Sequence, residues 1–529
     1  MSVVNKLASM LKEDGAVYVL HKVKKKVQSK LGKKKSLYSQ HELDAQRNVN
    51  FSRDVTFSIL VPLYNTPEQL LREMIDSVVA QTYEKWELCL ADGSDHEHAY
   101  VGAVCGEYIA KDSRVKYEKL TENKGISGNT NACIAMATGE YIALFDHDDL
   151  LHPAALYEMM CAICERDADF IYTDEDSFHE TPADAYSPHY KPDFAPDTLR
   201  SYNYICHFTA FSRELLNCVG GFRSEFDGSQ DYDIFLRLTE QAKNVVHIPK
   251  ILYYWRNHAG SVASDVSVKP YTMVSAKKAL AEHLERVGLQ GEVVDSSVLT
   301  TYKINYEIKG QPLVSVVVSE SEHRQRCIDS IAAKTTYPNY EIKAEGEASG
   351  EYLVFVDGDA EVLTPEWIEQ MLMYAQRADV GAVGPMLWNS NDTVYSAGKI
   401  LGVKNSAGNA HSRFPKGHDG YKFRMTIAQN YTAVSEKCMM VRRDLWEQVR
   451  FDSAMAEWMG VDFCLKLREK GYVIVWTPYA EVCYYGANGS DVSKQARKLF
   501  QNRWNHVMQL GDSYYNPNFS LLSGDFTEK

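Results

Sequence analysis

The densest chemistry in the chain lies in six residues, LFDHDD, 144–149. Asp146, Asp148 and Asp149 follow directly on an apolar run, YIAL, that reads as a buried strand. Three carboxylates at one strand end repel one another and raise each other's pKa. A hard divalent cation relieves that crowding, because Mg²⁺ and Mn²⁺ favour carboxylate oxygens and the phosphates of a bound nucleotide. Capping of a helix near Pro153 accounts for Asp149, but it leaves the Asp146/Asp148 pair unexplained.

Four further stretches could join them. In LADGSD, Asp92 ends a strand and Gly93 allows close backbone approach. A carboxylate there can accept hydrogen bonds from a nucleoside base or ribose, although Asp-Gly-Ser is also ordinary turn chemistry. In ENKGISGNTNA (122–132), Gly125 and Gly128 precede a helix whose first amides attract anions. No GxGxxG dinucleotide pattern is present. In GSQDYDIFLRL, Asp231 and Asp233 open a helix with an apolar face through Ile234, Leu236 and Leu238. Asp233 fits a capping role, whereas an acid aimed at a cleft could take a proton from an attacking hydroxyl. In YYWRNH, Arg256 and His258 could reach phosphate or metal.

The elements that must position these residues read as α/β. A strand over 57–62 meets Pro67, which suits the first turn of a helix. Leu70, Leu71, Met74, Ile75, Val78 and Val79 give that helix one apolar face. WELCLAD is the next strand and YIALFD a later one. Alternation of strands and helices implies a mostly parallel sheet covered on both faces. Ligands of such sheets sit off the carboxyl ends of the strands, where Asp92 and Asp146 both fall.

The plan is written twice. IDSVVAQTYEKWEL (75–88) answers to IDSIAAKTTYPNYEI (328–342), GEYIALFDHDDLLHP (139–153) to GEYLVFVDGDAEVLTP (350–365), and QDYDIFLRL (230–238) to MGVDFCLKL (459–467). SILVPLYN and VSVVVSES, both strand-like, precede them. The copies differ where chemistry is concentrated. Glu87 to Tyr141 spans 54 positions but Glu341 to Tyr352 only 11, so the second copy lacks about 43 residues, including the counterparts of LADGSD and NKGISG. Asp357 and Asp359 survive in VDGD, Gly460 stands opposite Asp231, and YYGANG stands opposite YYWRNH. Apolar strands and helix faces persist, which predicts a folded, catalytically silent domain that packs, self-associates or grips a glycan. Trp367, Trp388, Trp458 and Trp476 read chiefly as core. The predicted layout is a basic segment over 1–50, a catalytic domain over 51–270, a helical linker over 271–312, a degenerate domain over 313–486 and a tail over 487–529.

Bulk properties bound the function. A chain of 529 residues with 45% hydrophobic and 24% charged residues is ordinary globular material for two or three domains. A net charge of −14 argues against a general nucleic-acid binder. Residues 1–36 carry ten Lys against Glu13 and Asp14. Leu20, Val23, Val27 and Leu31 share one helix face there, so the segment reads either as an amphipathic helix on anionic lipid or as a solvated tail. No apolar run reaches membrane-spanning length, and no signal peptide is evident. Eleven Cys without paired spacing read as reduced thiols of a cytoplasmic protein.

The ordered set VPLYN, LADGSD, NKGISG.TNA, FDHDD, TDED, QDYD and YYWRNH resembles the family 2 glycosyltransferases, of GT-A fold, over about 57–265. The longer pattern, with the YYNPNFSL tail, is similar to bacterial polysaccharide glycosyltransferases with two tandem domains of this kind. The resemblance implies a metal-dependent, inverting transfer of a hexosyl or rhamnosyl group from a UDP- or dTDP-linked donor to a hydroxyl. The acceptor implied is a lipid-linked cell-surface glycan at the inner face of the membrane, with self-association left open. It assigns Asp231 as general base, Asp148 and Asp146 with His258 to Mn²⁺ or Mg²⁺, and Asp92 to the nucleoside. Pro62, Tyr64, Asn123, Gly125 and Arg256 would line the nucleotide-sugar site, with Asp174 and Asp176 of YTDED facing sugar or acceptor. The sequence departs from the pattern at Gly93, where many relatives carry a second Asp. Two rival readings are a silent glycan-binding protein, which intact Asp146, Asp148 and Asp231 oppose, and a nucleotidyltransferase, which would need a glycine-rich loop where VPLYNTPEQ stands.

Overall fold

The computed structural model describes residues 37–257, 270–486 and 493–529. The basic head and His258 therefore lie outside the described residues. The described chain divides into two units, one of residues 37–194 and 203–289, the other of residues 195–202 and 290–529. No helix among the described residues is long and apolar enough to cross a membrane.

The first unit is built on eight strands: β1 (Phe57–Leu63), β2 (Trp86–Asp92), β3 (Val115–Lys119), β4 (Tyr141–Leu144), β5 (Leu150–Leu151), β6 (Phe170–Phe178), β7 (Thr209–Ser212) and β8 (Val245–Arg256). Their order is β3-β2-β1-β4-β7-β6-β8-β5. The first four are mutually parallel, and β7 runs against both β4 and β6. Every residue of β1 and β2 is buried, as strands covered on both faces require. The helix Glu68–Val79 buries Leu71, Met74, Ile75 and Val78. Because β2, β1 and β4 are neighbours, Asp92 and Asp146 emerge at the same sheet edge, two strand spacings or about 10 Å apart. Of the span predicted as a linker, the helix Pro270–Arg286 belongs to this unit: Glu240 accepts from His283 Nδ1 and Arg286 Nε, each at 2.7 Å.

The second unit starts with a hairpin, β9 (Gly291–Asp295) and β10 (Tyr302–Tyr306). Its strands continue as β11 (Val314–Val318), β12 (Tyr340–Ile342), β13 (Tyr352–Val356), β14 (Ala360–Val362), β15 (Val380–Asn389), β16 (Val394–Ser396), β17 (Lys399–Leu401), β18 (Ala407–Asn409), β19 (Gln429–Asn430), β20 (Cys438–Arg442) and β21 (Val473–Tyr484). The main path is β12-β11-β13-β20-β15-β21-β14. It repeats β2-β1-β4-β7-β6-β8-β5 strand for strand, and the missing member is β3, inside the stretch the sequence lacks. A hydrogen-bond network repeats too. In the first unit Ser58 Oγ donates to Glu87 at 2.7 Å and accepts from Gly139 N at 2.9 Å. In the second, Ser315 Oγ donates to Glu341 at 2.6 Å and accepts from Gly350 N at 2.7 Å. Arg213 and Arg443 then donate to the carbonyls of Gly139 and Gly350 at 2.7 and 2.6 Å.

Trp367, Trp388, Trp458 and Trp476 are all buried core. The last stretch is no loose polar tail. The helix Lys494–Leu510 aims Arg503 and Trp504 at Asp462, and Tyr514, Tyr515, Phe519 and Phe526 are buried. Asp197, drawn from the first copy's sequence, belongs to this unit, where Arg377 and Asn430 hold it.

Candidate active site

The acidic turn after β4 separates its three carboxylates. Asp149 does not cap a helix. It is buried, accepts from Arg256 N at 2.7 Å and from the Tyr253 hydroxyl, and its pKa is pushed well up by burial and then by Asp148 and Asp146. The helix that follows, Ala155–Arg166, has no side-chain cap. Asp146 and Asp148 instead face a recess, and the Asp146 side chain keeps 43% of its accessibility. Water lost to the recess, and then the Asp148 charge, raise Asp146 to about 6. Two crowded carboxylates suit a divalent ion that completes its shell with phosphate oxygens and water. Among the described residues no third ligating side chain joins them.

His207, which the sequence reading passed over, lies in this recess. Its Nε2 sits 3.4 Å from Asp146 Oδ2, and its ring stacks on Tyr253 at 4.9 Å. Burial lowers its pKa, so the neutral imidazole is favoured. The segment carrying it is pinned by Lys191, whose ammonium donates to the carbonyls of Ile205 and His207 at 2.6 Å each and pairs with Glu175 at 3.0 Å. His207 follows no strand-end acid motif, and only the fold brings it to Asp146.

Asp231 stands at the first turn of the helix Gln230–Gln241, partly exposed. Burial raises its pKa to about 6, against the pull of His207 and with the push of Asp146. A carboxylate so placed is basic enough to accept a proton near neutrality. Its neighbour Asp233 is not a cap. It is fully buried between Arg237 Nη2 at 2.7 Å and Arg223 Nε at 3.2 Å, which fixes the helix against the preceding loop.

The other flank is formed by the ends of β1 to β3. Asp92 is only 1% exposed. Burial pushes its pKa up, but Ser94, Tyr117 and Lys119 outweigh that and hold it low, with Tyr117 Oη at 2.8 Å and Lys119 Nζ at 3.1 Å. Its oxygens are thus largely engaged within the protein. Gly93 explains the departure at the second Asp position: a Cβ there would lie 2.8 Å from Asn129 Nδ2 and 3.2 Å from Asn123 Cα. The missing side chain lets LADGSD and NKGISG close on each other. Tyr64, 49% exposed, and exposed Asn123 remain open at the rim. Gly125, with φ +75°, starts the helix Gly125–Met136, but the anion at that terminus is internal: Asp227 accepts from Ser127 N at 3.3 Å.

Several predicted residues sit elsewhere. Asp174 and Asp176 are fully buried, so they face no open cleft: Asp174 meets His247 Nε2 at 2.9 Å and Lys191 N at 2.8 Å, and Asp176 accepts from Ser187 N at 2.8 Å. Pro62 is buried mid-sheet opposite Ala91. Arg256 is buried as well, its guanidinium donating to the Asp148 carbonyl at 2.7 Å and to Glu73 at 2.6 Å. It braces the acidic turn from behind.

A family model for glycosyl transferase family 2 matches residues 58–220. That segment is a family 2 glycosyltransferase domain. Its fold is the GT-A fold, followed here by a second, truncated GT-A-like unit. The chain is 35% identical to uncharacterized protein y4gI of Sinorhizobium fredii, over 89% of this chain and 58% of that protein. It is 28% identical to the O-antigen biosynthesis protein RfbC of Myxococcus xanthus, over 90% of this chain and 41% of that one. It thus spans about half the length of these curated relatives. The crystal structure of S. aureus TarS 1-349 in complex with UDP-GlcNAc is 19% identical, with a TM-score of 0.35, covering 44% of this chain and 72% of that chain.

The second unit shows what became of the family 2 recess in the other copy. Asp357 and Asp359 occupy the positions of Asp146 and Asp148, but Lys437 stands where His207 would be and donates to Asp357 at 2.9 Å. His323 Nδ1 lies 2.9 Å from Asp359. Gly460, opposite Asp231, leaves no room for a carboxylate: a Cβ would meet Glu436 N and Cβ at 2.9 Å. Lys437 therefore neutralises Asp357, His323 hydrogen-bonds Asp359, and backbone fills the place of the base.

Proposed function

We propose that the chain transfers a sugar, with inversion, from a nucleoside-diphosphate donor to a hydroxyl of a growing cell-surface polysaccharide. The observation that carries this reading is that Asp146, His207 and Asp231 lie close enough to act on one another's charge within a family 2 domain, with Asp231 raised to about 6. Asp231 takes the acceptor proton as the hydroxyl attacks the anomeric carbon from the face opposite the leaving diphosphate, which accounts for inversion. Asp146 and Asp148 would hold Mn²⁺ or Mg²⁺, which stabilises charge on the departing diphosphate. Neutral His207 and the Arg256 brace fix that acidic pair in place. Tyr64 and Asn123 offer exposed contacts for the nucleoside end, and Asp92 orients Lys119 beside them.

The name of the Myxococcus relative supports polysaccharide as the product class. The basic charge of residues 1–36 supports a lipid-linked acceptor at the inner membrane face. The second unit performs no transfer. The test is calorimetry with UDP, dTDP and GDP, with and without Mn²⁺, on the full chain, Asp148→Ala and Asp231→Asn. Metal-dependent binding of one nucleotide at one site, lost in Asp148→Ala and kept in Asp231→Asn, supports the reading. Binding of none of the three overturns it.

A further inference from the structure

The second unit contains a cavity of about 400 Å³ that no part of the transfer chemistry uses. Four cations line it: Lys399, Lys404, Arg413 and Arg497. Two acids, Glu457 and Asp525, share the wall. Among the described residues none of the four cations has an ion-pair partner. Lys399 is the informative one. It lies on β17, its residue is only 8% exposed, and among the described residues no carboxylate pairs with its ammonium. Its ammonium keeps access to solvent through the cavity, where an entering anion can reach it. Three further polar atoms of this wall, Asn409 Oδ1, Glu457 Oε1 and Arg497 Nε, are buried and find no partner among the described residues.

The donor set defines the ligand. Unpaired cations outnumber acids and call for an anion, whereas a carboxylate and an amide carbonyl call for hydroxyl donors. A cavity of this volume falls in the range that holds a small polar ligand. We propose that it binds an anionic sugar residue, a pyranose bearing a carboxylate or a phosphate, with the anionic group on Lys399 and the ring hydroxyls on Asn409 and Glu457. Its place in the fold agrees. Glu457 closely precedes the helix Met459–Glu469, counterpart of the helix that carries Asp231 at the acceptor side. That last point rests on the role proposed for Asp231; the charge argument does not.

Ligand-detected NMR on the full chain, with glucuronate, glucose 6-phosphate, glucose and inorganic phosphate, tests it without any turnover, so its failure leaves the transferase reading standing. Saturable binding of one acidic sugar is expected, weakened about tenfold or more in Lys399→Met and measurably in Arg413→Ala. Which of the two acidic sugars binds identifies the anion. The proposal fails if neither acidic sugar binds, if binding survives Lys399→Met, or if glucose or phosphate alone binds as tightly.

Discussion

Lys191 gives the sharpest test of how the recess is held. Its side chain is fully buried, and its ammonium serves Glu175 and the carbonyls of Ile205 and His207. Glu175 also meets His189 Nδ1 at 3.1 Å, and His207 adds a smaller pull. Burial alone would raise the Glu175 pKa, but Lys191 and then His189 drive it far below the usual range. Lys191→Met keeps the volume and removes the charge. Glu175 is left with His189, and two carbonyls lose their donor. Removing one partner of a buried pair costs about 3–5 kcal/mol, and the surviving His189 contact places this case near the lower end, at about 3 kcal/mol. For a unit of this size that lowers the calorimetric transition of the first unit by about 6–12 °C. The double variant Glu175→Gln, Lys191→Met should recover about half of the loss or more, because no charge is then stranded. Trp255, 6.0 Å from His207, reports locally through its emission. A single variant within about 1 kcal/mol of the parent, or a double variant no better than the single, would refute this account.

Other consequences are quickly stated. Asp231 must be ionised to act, so kcat/KM should rise with pH through an apparent pKa near 6, or lower where a bound cation pulls it down, and then level off; Asp231→Asn should cost about 10²–10⁴-fold in kcat with donor affinity kept. Glu87 is pushed up by burial but held down to about 2 by Lys116, Thr138 and Ser58. Its stabilisation is full above the unfolded value of about 4.3 and is lost as pH falls toward 2, so Glu87→Gln should flatten the acid limb of an unfolding-versus-pH curve. Gly93→Ala drives a methyl into Asn129 and should destabilise by about 1–3 kcal/mol in urea melts. Manganese titration followed by electron paramagnetic resonance should count one site per chain, and Lys437→Ala should add a second, weaker one by uncovering Asp357; an unchanged count removes Lys437 as the built-in cation.

Much of this architecture was legible because strands and helix faces are written in apolar periodicity, and the copies could be aligned on it. The loss of β3 was read from a gap in spacing alone. The position of Asp146 and Asp148 just beyond the end of β4 was also legible. What stayed hidden were residues whose role depends on partners distant in sequence. Asp174 and Asp176 sit in a motif that looks functional, yet register turns them toward His247 and Ser187. His207 and Lys191 lie in loops without periodicity, and only the crossing of β7 beside β4 brings His207 to Asp146. Arg256 was read as able to reach phosphate or metal; here Glu73 and the Asp148 carbonyl engage it.

The two copies separate what a fold needs from what a reaction needs. The Ser58–Glu87–Gly139 network and its Ser315–Glu341–Gly350 counterpart tie the first strands to the turn before the fourth, and both units keep it although only one carries an acidic recess open to ligand. It satisfies buried polar groups at the sheet's amino end, so its loss would cost stability wherever the sheet exists. The carboxyl end carries no such obligation. Once β3 and its flanking helices are absent, no nucleoside wall remains, and two bare carboxylates at Asp357 and Asp359 would only repel each other. The Lys437 ammonium offsets that repulsion without a metal, and His323 gives Asp359 a hydrogen-bond partner. Gly460 follows the same logic: with no proton to accept, the position serves packing against Glu436 instead. On the function proposed, the second unit is stabilised by the same residues that would disarm it.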